Sequence, residues 1–330
     1  MNASLDRVGF ATISERRALS ASIHSPLERC TLIVTEKCNL RCVYCNKHSG
    51  DHMPLEQALR VIDAWAGHGL STVMISGGEP TVYPDLPAVV SAFRRRGLAS
   101  IILATNGTDR PDSYRRLMEL GVTELSVSLD SGDRSRAATI HGTDIGVWDR
   151  VVETIRALSR EARVVVGLIL NEHNQDTIVD DLAFIDSLGP SDIKLTPSSH
   201  YSDLSRIADI ARRIPAQLIE RYTFLGYRMR RVLAGRPLKT LRRGDSRHCW
   251  LSMDDMAIAG RQHYPCYIYL RESGAPIGQV CDDMGAVREQ RLAWIQSHDT
   301  HADPICSSHC VDFYIDYNNR IDRRLNGGGR

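Results

Sequence analysis

Short β-branched runs alternate with stretches of helical apolar spacing over most of the chain. Cys30-Thr31-Leu32-Ile33-Val34 reads as a buried strand. From Pro54 to His68 apolar residues recur at Leu55, Ala58, Leu59, Ile62 and Trp65, the stripe of an amphipathic helix that stops near Gly67 and Gly69. The same reading predicts strands at 71–76, 100–105, 123–129, 163–170 and 192–196, with helices at 87–97, 110–121, 145–160 and 175–189 between them. Strands separated by helices imply a parallel sheet, and Val164-Val165-Val166 suits a strand covered on both faces. The pattern of α/β units fits a partial (β/α)6 barrel, and a flat doubly wound sheet would give it equally well. Residues 204–233 read as helical. The expected organisation is a lead-in over 1–29, the barrel over 30–203, a helical basic linker over 204–247 and a small cysteine-rich domain over 248–330.

Composition narrows the function classes. With 330 residues, 42% apolar and 25% charged, the chain can bury a large core, and its net charge of +1 argues against general affinity for nucleic acid or anionic membrane. No long apolar segment stands out, and Asp6, Arg7, Glu15, Arg16 and Arg17 interrupt any signal-peptide pattern, so a cytoplasmic protein is expected. Nine cysteines are many for a reducing compartment, where disulfides rarely persist; metal ligation accounts for them better.

Three of these thiols, Cys38, Cys42 and Cys45, fall on the loop leaving the first strand. Three thiolates can hold three irons of a [4Fe–4S] cube and leave the fourth open to a ligand. The alternative is zinc with His48 as fourth ligand, although C-x3-C-x2-C is not the usual paired zinc spacing. Every later strand also ends in polar or glycine-rich residues: Gly77-Gly78-Glu79-Pro80, Asn106, Ser128 with Asp130, Asn171 and Ser198-Ser199-His200. In parallel α/β architectures that rim is where chemistry gathers.

Cys38-x3-Cys42-x-Tyr44-Cys45, with its aromatic before the last cysteine, resembles the cluster motif of the radical S-adenosylmethionine (radical SAM) superfamily. The resemblance favours the barrel and implies a [4Fe–4S] cluster whose open iron chelates S-adenosylmethionine. It implies reductive cleavage to a 5′-deoxyadenosyl radical and a flavodoxin- or ferredoxin-type reductant. Gly77, Gly78, Glu79 and Pro80 resemble the family's glycine-rich motif, whose backbone meets the methionine amino group, and the Glu79 carboxylate can accept from an ammonium. Ser128 and Asp130 would hold ribose hydroxyls, Tyr44 would pack on adenine, and Asn106 and Asn171 would be further cofactor contacts. A helix cap or Asx turn is the structural alternative at Asp130, Asn106 and Asn171.

A second constellation, Cys249, Cys266, Cys306 and Cys310, offers four thiolates, enough for a closed cluster. It resembles the twitch extension, the shortened form of the SPASM domain, and implies an auxiliary [4Fe–4S] cluster. Zinc on Cys306, His309 and Cys310 is the alternative. Cys281 reads as an inert thiol, a replacement ligand or a hydrogen-atom donor, and Cys30 as core. Arg228–Arg247 holds eight basic residues against Asp245: a solvated face, or an anion site built from Arg228, Arg231, Arg242 and Arg243. No P-loop accompanies it. The expected function is oxidative transformation of a small polar metabolite such as a cyclitol, amino sugar or nucleotide. The alternatives are a peptide-modifying maturase acting on a precursor peptide, and a non-catalytic iron–sulfur or zinc protein.

Overall fold

A computed structural model of the protein describes residues 15–20, 22, 24, 25, 27–45, 50–201 and 203–327. His48 and residues 1–14, for which a ligand role and a lead-in were expected, lie outside the described residues.

Six parallel strands carry the expected units: β1 (Arg29–Thr35), β2 (Thr72–Gly77), β3 (Ser100–Thr105), β4 (Glu124–Ser128), β5 (Arg163–Leu170) and β6 (Asp192–Pro197). Three more follow in the cysteine-rich segment: β7 (Asp255–Ala259), β8 (Gln262–Tyr264) and β9 (Gly278–Gln279). The sheet order is β6-β5-β4-β3-β2-β1-β7-β8-β9. The helices are α1 (Glu15–Ser20), α2 (Leu55–Ala66), α3 (Leu86–Arg95), α4 (Pro111–Leu120), α5 (Arg134–His141), α6 (Gly146–Leu158) and α7 (Ile178–Ser187), then α8 (Leu204–Arg213), α9 (Ala216–Arg221), α10 (Thr223–Leu233), α11 (Tyr267–Arg271), α12 (Met284–Ser297), α13 (Pro304–His309) and α14 (Asp312–Gly327).

Period-2 alternation sorts each barrel strand into two faces. Leu32, Val73, Leu103, Val127, Val166 and Leu195 are buried in one core with Ile62 and Trp65 of α2 and Phe93 of α3. Burying each such side chain is worth about 1.5–3 kcal/mol. The alternate residues Met74, Ala104, Ser126, Ser128, Gly167 and Lys194 are partly exposed and face the lumen, which Ile102, Val165 and Met74 floor.

One expectation changes. The single helix over 204–233 is three: Ile214 leaves the helical region before Pro215, which disfavours α conformation in the residue ahead of it, and Tyr222 is extended between α9 and α10. The C-terminal segment is joined to the barrel sheet: β7 pairs parallel with β1 from Arg29↔Asp255 to Ile33↔Ala259 and extends it. At the other end β6 is an edge strand, and α10 meets it. Arg228 Nη1 donates to the Leu195 carbonyl at 2.6 Å, and Nη2 to Asp312 Oδ1 at 3.0 Å, tying β6 to α14. Arg228 and Asp312 are almost fully buried, and Arg231 pairs with Asp316. These arginines are therefore internal struts and not the anion site entertained for them. No described helix is long and apolar enough to cross a membrane.

Candidate functional site

The cysteine loop leaves β1 at the C-terminal rim and is stitched to the glycine loop after β2. Gly78 N donates to the Thr35 carbonyl at 2.8 Å and Glu79 N to the Lys37 carbonyl at 2.9 Å. A Cβ on Gly78 would lie 2.3 Å from the Lys37 carbonyl oxygen, and one on Gly77, at φ +146°, 2.0 Å from that of Thr35. Only glycine allows this approach. Cys38, Cys42, Cys45, Gly77 and Gly78 line a cavity of about 330 Å³, and Tyr267, Leu270 and Arg271 of α11 line its opposite side. Burial pushes the Cys42 thiol up to about 12, and the charges of Asp130, Cys45 and Cys38 add to it. Three thiols that oppose one another's ionisation are a donor set suited to a cationic metal centre, so these residues fit an iron–sulfur cube.

Several polar residues expected to touch a cofactor are instead committed to the protein. Glu79 is fully buried: Oε1 accepts from Thr81 N at 3.0 Å and from Thr105 Oγ1 at 2.7 Å, and Oε2 accepts from Asn106 N at 2.6 Å. Burial raises its carboxyl above the usual range while those three donors pull it back. It locks the β2 and β3 loops together and does not line the cavity that holds the cysteine loop. Asp130, also fully buried, accepts from Ile169 N at 2.7 Å through Oδ1 and meets Tyr44 and His141 through Oδ2. It is therefore not placed to hold a ribose, and Tyr44 points its hydroxyl at Asp130. Asn171 closes an Asx turn, its Oδ1 accepting from His173 N at 2.9 Å, and Pro80 is buried at the start of a 3-10 turn. Asn106 stays at the rim, donating to Asn39 of the cysteine loop at 2.7 Å, and Ser128 faces the lumen. Cys281 is exposed beside Glu56, Gln57 and Arg60 of α2, outside the cavity that holds the cysteine loop, which removes it as a hydrogen donor there. Cys30 is buried core, as expected.

The second constellation does assemble. Cys249, Cys266, Cys306 and Cys310 line one small cavity, and all four are free thiols. Burial raises the Cys306 thiol far above its ordinary value, and the charges of Cys249, Cys266 and Cys310 raise it further. Four mutually interacting thiols, Cys249 buried and the other three half-buried, fit a closed four-thiolate cluster. Arg291 of α12 fixes the two loops that supply Cys249 and Cys266, donating to the Ser252 carbonyl at 2.9 Å and to that of Tyr264 at 3.1 Å. The histidine nearest the thiols is His298, with Nε2 3.5 Å from Cys306 Sγ and its ring stacked on Trp294 at 4.0 Å. Among the described residues His298, Asp303 and Cys306 lie close enough together to share a metal ion, whereas Cys306, His309 and Cys310, the set expected for zinc, do not.

Sequence reasoning missed Lys194, Arg271, Arg291 and His298. Lys194 had a readable signal, a lysine between Ile193 and Leu195 at the strand period of its lumen-facing neighbours. Burial, then Arg228 and Arg271, lower its ammonium to about 7.

Residues 32–185 match the profile of the Radical SAM superfamily. Among curated proteins, GTP 3′,8-cyclase of Clostridium perfringens (strain SM101) is 32% identical over 176 residues, 50% of this chain and 54% of that protein. Molybdenum cofactor biosynthesis protein moc-5 of Caenorhabditis elegans is 30% identical over 159 residues, 44% of this chain and 26% of that one. The chain thus spans about half the length, or less, of these relatives. Among solved structures, anSMEcpe with bound AdoMet superposes with a TM-score of 0.62 at 14% identity, covering 90% of this chain and 98% of that one. Streptococcus suis SuiB bound to precursor peptide SuiA gives 0.61 at 14%, covering 88% and 76%. At such identities these two share the fold.

Proposed function

We propose that the chain, a radical SAM protein through residues 32–185, initiates radical chemistry at its first thiol set and oxidises a small polar metabolite with the help of its second. The carrying observation is the pair of thiol sets: three cysteines on a cavity-lining loop and four around one cavity. When bound, the cube and S-adenosylmethionine supply a primary carbon radical, and a second cluster supplies an acceptor for the electron that a substrate radical must lose to become a closed-shell product. The protein's own residues do the rest. Cys38, Cys42 and Cys45 hold the cube, and Gly77 and Gly78 let the main chain close on its ligand. The small lumen residues Ala104, Ser126, Ser128 and Gly167 leave room for substrate, and α11 covers the cavity from the other side. A covered cavity favours a small molecule over a chain that must thread through. The reading supports an oxidoreductase of a reducing, cytoplasmic environment, served by a flavodoxin- or ferredoxin-type reductant.

The test is anaerobic reconstitution of the full chain with iron and sulfide counted and 5′-deoxyadenosine assayed after reduction. About eight irons should fall to about four when Cys38, Cys42 and Cys45 become Ala, with deoxyadenosine lost. They should also fall to about four when Cys249, Cys266, Cys306 and Cys310 become Ala, with cofactor cleavage kept. Zinc in place of iron would refute the radical reading, and about four irons in the wild type would remove the oxidative step.

A further inference from the structure

Helix α11 is a wall shared by two cavities. Tyr267, Leu270 and Arg271 line the one that holds the cysteine loop, while Ile268 and Tyr269 line the one around Cys249, Cys266, Cys306 and Cys310. The two cavities thus meet across one short helix. Whether an electron passes from the first to the second depends on the potential of the acceptor there.

Cluster potentials respond to hydrogen bonds on the sulfurs, because a donor stabilises the negative charge that reduction adds. Donors reach three of these thiols. Cys249 Sγ accepts from Ser252 Oγ at 3.6 Å, and Cys266 Sγ accepts from Tyr269 N at 3.4 Å. Cys306 is served by a side chain from another element: His298, which ends α12, places Nε2 3.5 Å from its Sγ. A sulfur bound to iron carries no proton, so in that state the imidazole is the partner that donates.

The imidazole is held in place. It stacks on Trp294 at 4.0 Å and 18°, and Tyr269 meets both rings edge-on at 6.0 Å. Its side chain is 13% exposed, so water competes little for the donor. Asp303, the other group within reach, is committed through both oxygens: Oδ1 accepts from Cys306 N at 2.8 Å, and Oδ2 accepts from the Tyr269 hydroxyl at 2.9 Å. Oδ2 also stands farther from His298 Nε2, at 3.9 Å, than the sulfur does. The geometry leaves the imidazole to Cys306.

We propose that His298 acts through Cys306 as a positioning residue of the second thiol set, donating to its sulfur and so holding the potential of the four-thiolate cluster high enough to take the substrate's electron. This rests on the reading of that set as an electron-accepting cluster and adds what tunes it.

The experiment is a potentiometric titration, followed by electron paramagnetic resonance, of the reconstituted full chain carrying Cys38→Ala, Cys42→Ala and Cys45→Ala, which leaves the four-thiolate cluster as the one signal. In that background His298→Phe keeps a ring to stack on Trp294 and loses the N–H. It should shift the reduced-to-oxidised ratio at a fixed potential about threefold to tenfold toward oxidised, tenfold being about 59 mV for one electron, with iron content unchanged. His298→Gln, which restores an N–H donor, should recover most of the shift, as a merely structural role would not. With His298 intact, nitrogen-15-labelled histidine should give a weak hyperfine coupling to the reduced cluster. An unchanged midpoint in iron-loaded His298→Phe, equal shifts in the two variants, loss of iron from His298→Phe, or the strong coupling of a nitrogen bound directly to iron would overturn the proposal. A four-cysteine site that takes up no iron with His298 intact would instead strike the reading beneath it.

Discussion

The Tyr44 hydroxyl donates to Asp130 Oδ2 at 2.5 Å, joining the cysteine loop to the end of β4 across 86 positions of sequence. His141 Nε2 lies 3.0 Å from the same oxygen, and the loop backbone joins in, with Arg41 N and Val43 N donating to the carbonyls of His141 and Ile140. Burial, and next the Asp130 charge, raise the Tyr44 phenol well above its ordinary value, so it stays a donor. Removing a hydrogen bond to a buried charge costs about 1.5–3 kcal/mol. Tyr44→Phe should therefore loosen the loop, and iron loss to a chelator should be roughly tenfold faster or more. An unchanged chelation rate would show that the backbone bonds hold the loop alone.

Gly78→Ala puts a methyl 2.3 Å from the Lys37 carbonyl oxygen, backbone that cannot swing aside. The cysteine and glycine loops must part, at about 1–3 kcal/mol. S-adenosylmethionine affinity should drop by about tenfold or more while the melting temperature falls only a few degrees. Equilibrium binding of the cofactor, with iron content checked, reads this out.

The Arg228–Asp312 pair is buried on both sides, and Arg228 also serves the β6 edge. Breaking such a pair from one side costs about 3–5 kcal/mol because a buried charge is left alone. Arg228→Met and Asp312→Leu should each lower the denaturation midpoint strongly, and the double variant should recover part of the loss. Additive losses would mean that the two do not act as a unit.

Lys194 gives the protein a pH dependence of definite sign. Its ammonium titrates near 7 in the fold, against about 10.4 in an unfolded chain. Between those values the unfolded state binds the extra proton, so this residue's penalty is full below about 7 and is relieved as pH rises toward 10. The charged groups acting on it are Arg228 and Arg271, which lower it, and Asp312 and Glu124, which raise it. Lys194→Met should raise the melting temperature by a few degrees at pH 6 and by less at pH 9. Equal shifts at both would mean that burial is not what depresses the ammonium.

The barrel was legible because its signal is local. Ser100–Thr105 and Arg163–Leu170 appear where the β-branched runs lie, since parallel strands buried on one face against helices need continuous apolar side chains. The thiols of both sets were legible from spacing and number. What spacing could not convey is who spends which hydrogen bond. Asp130 reads as a free rim carboxylate because its partner Tyr44 comes from a distant loop, and Glu79 reads as a ligand because the donors from Thr105 and Asn106 are a whole unit away. The helix over Arg134–His141 went unread because its Arg-Ser-Arg-Ala-Ala-Thr-Ile-His sequence has no apolar stripe; Asp133 starts it by capping Arg136 N, and Gly142 ends it at φ +62°. β7 was hidden by brevity, five residues in a segment read for its cysteines.

The ladder between β1 and β7 bears on how these two halves can be inherited. All seven residues of β1 are buried, and five of them are in register with β7. A version cut after residue 203 would turn β1 into an unpaired apolar edge, the kind of strand that recruits another copy and aggregates. The barrel is thus no portable module to be fused to a different C-terminal cap: any replacement must bring its own strand to this edge, in this register, before it can bring new chemistry.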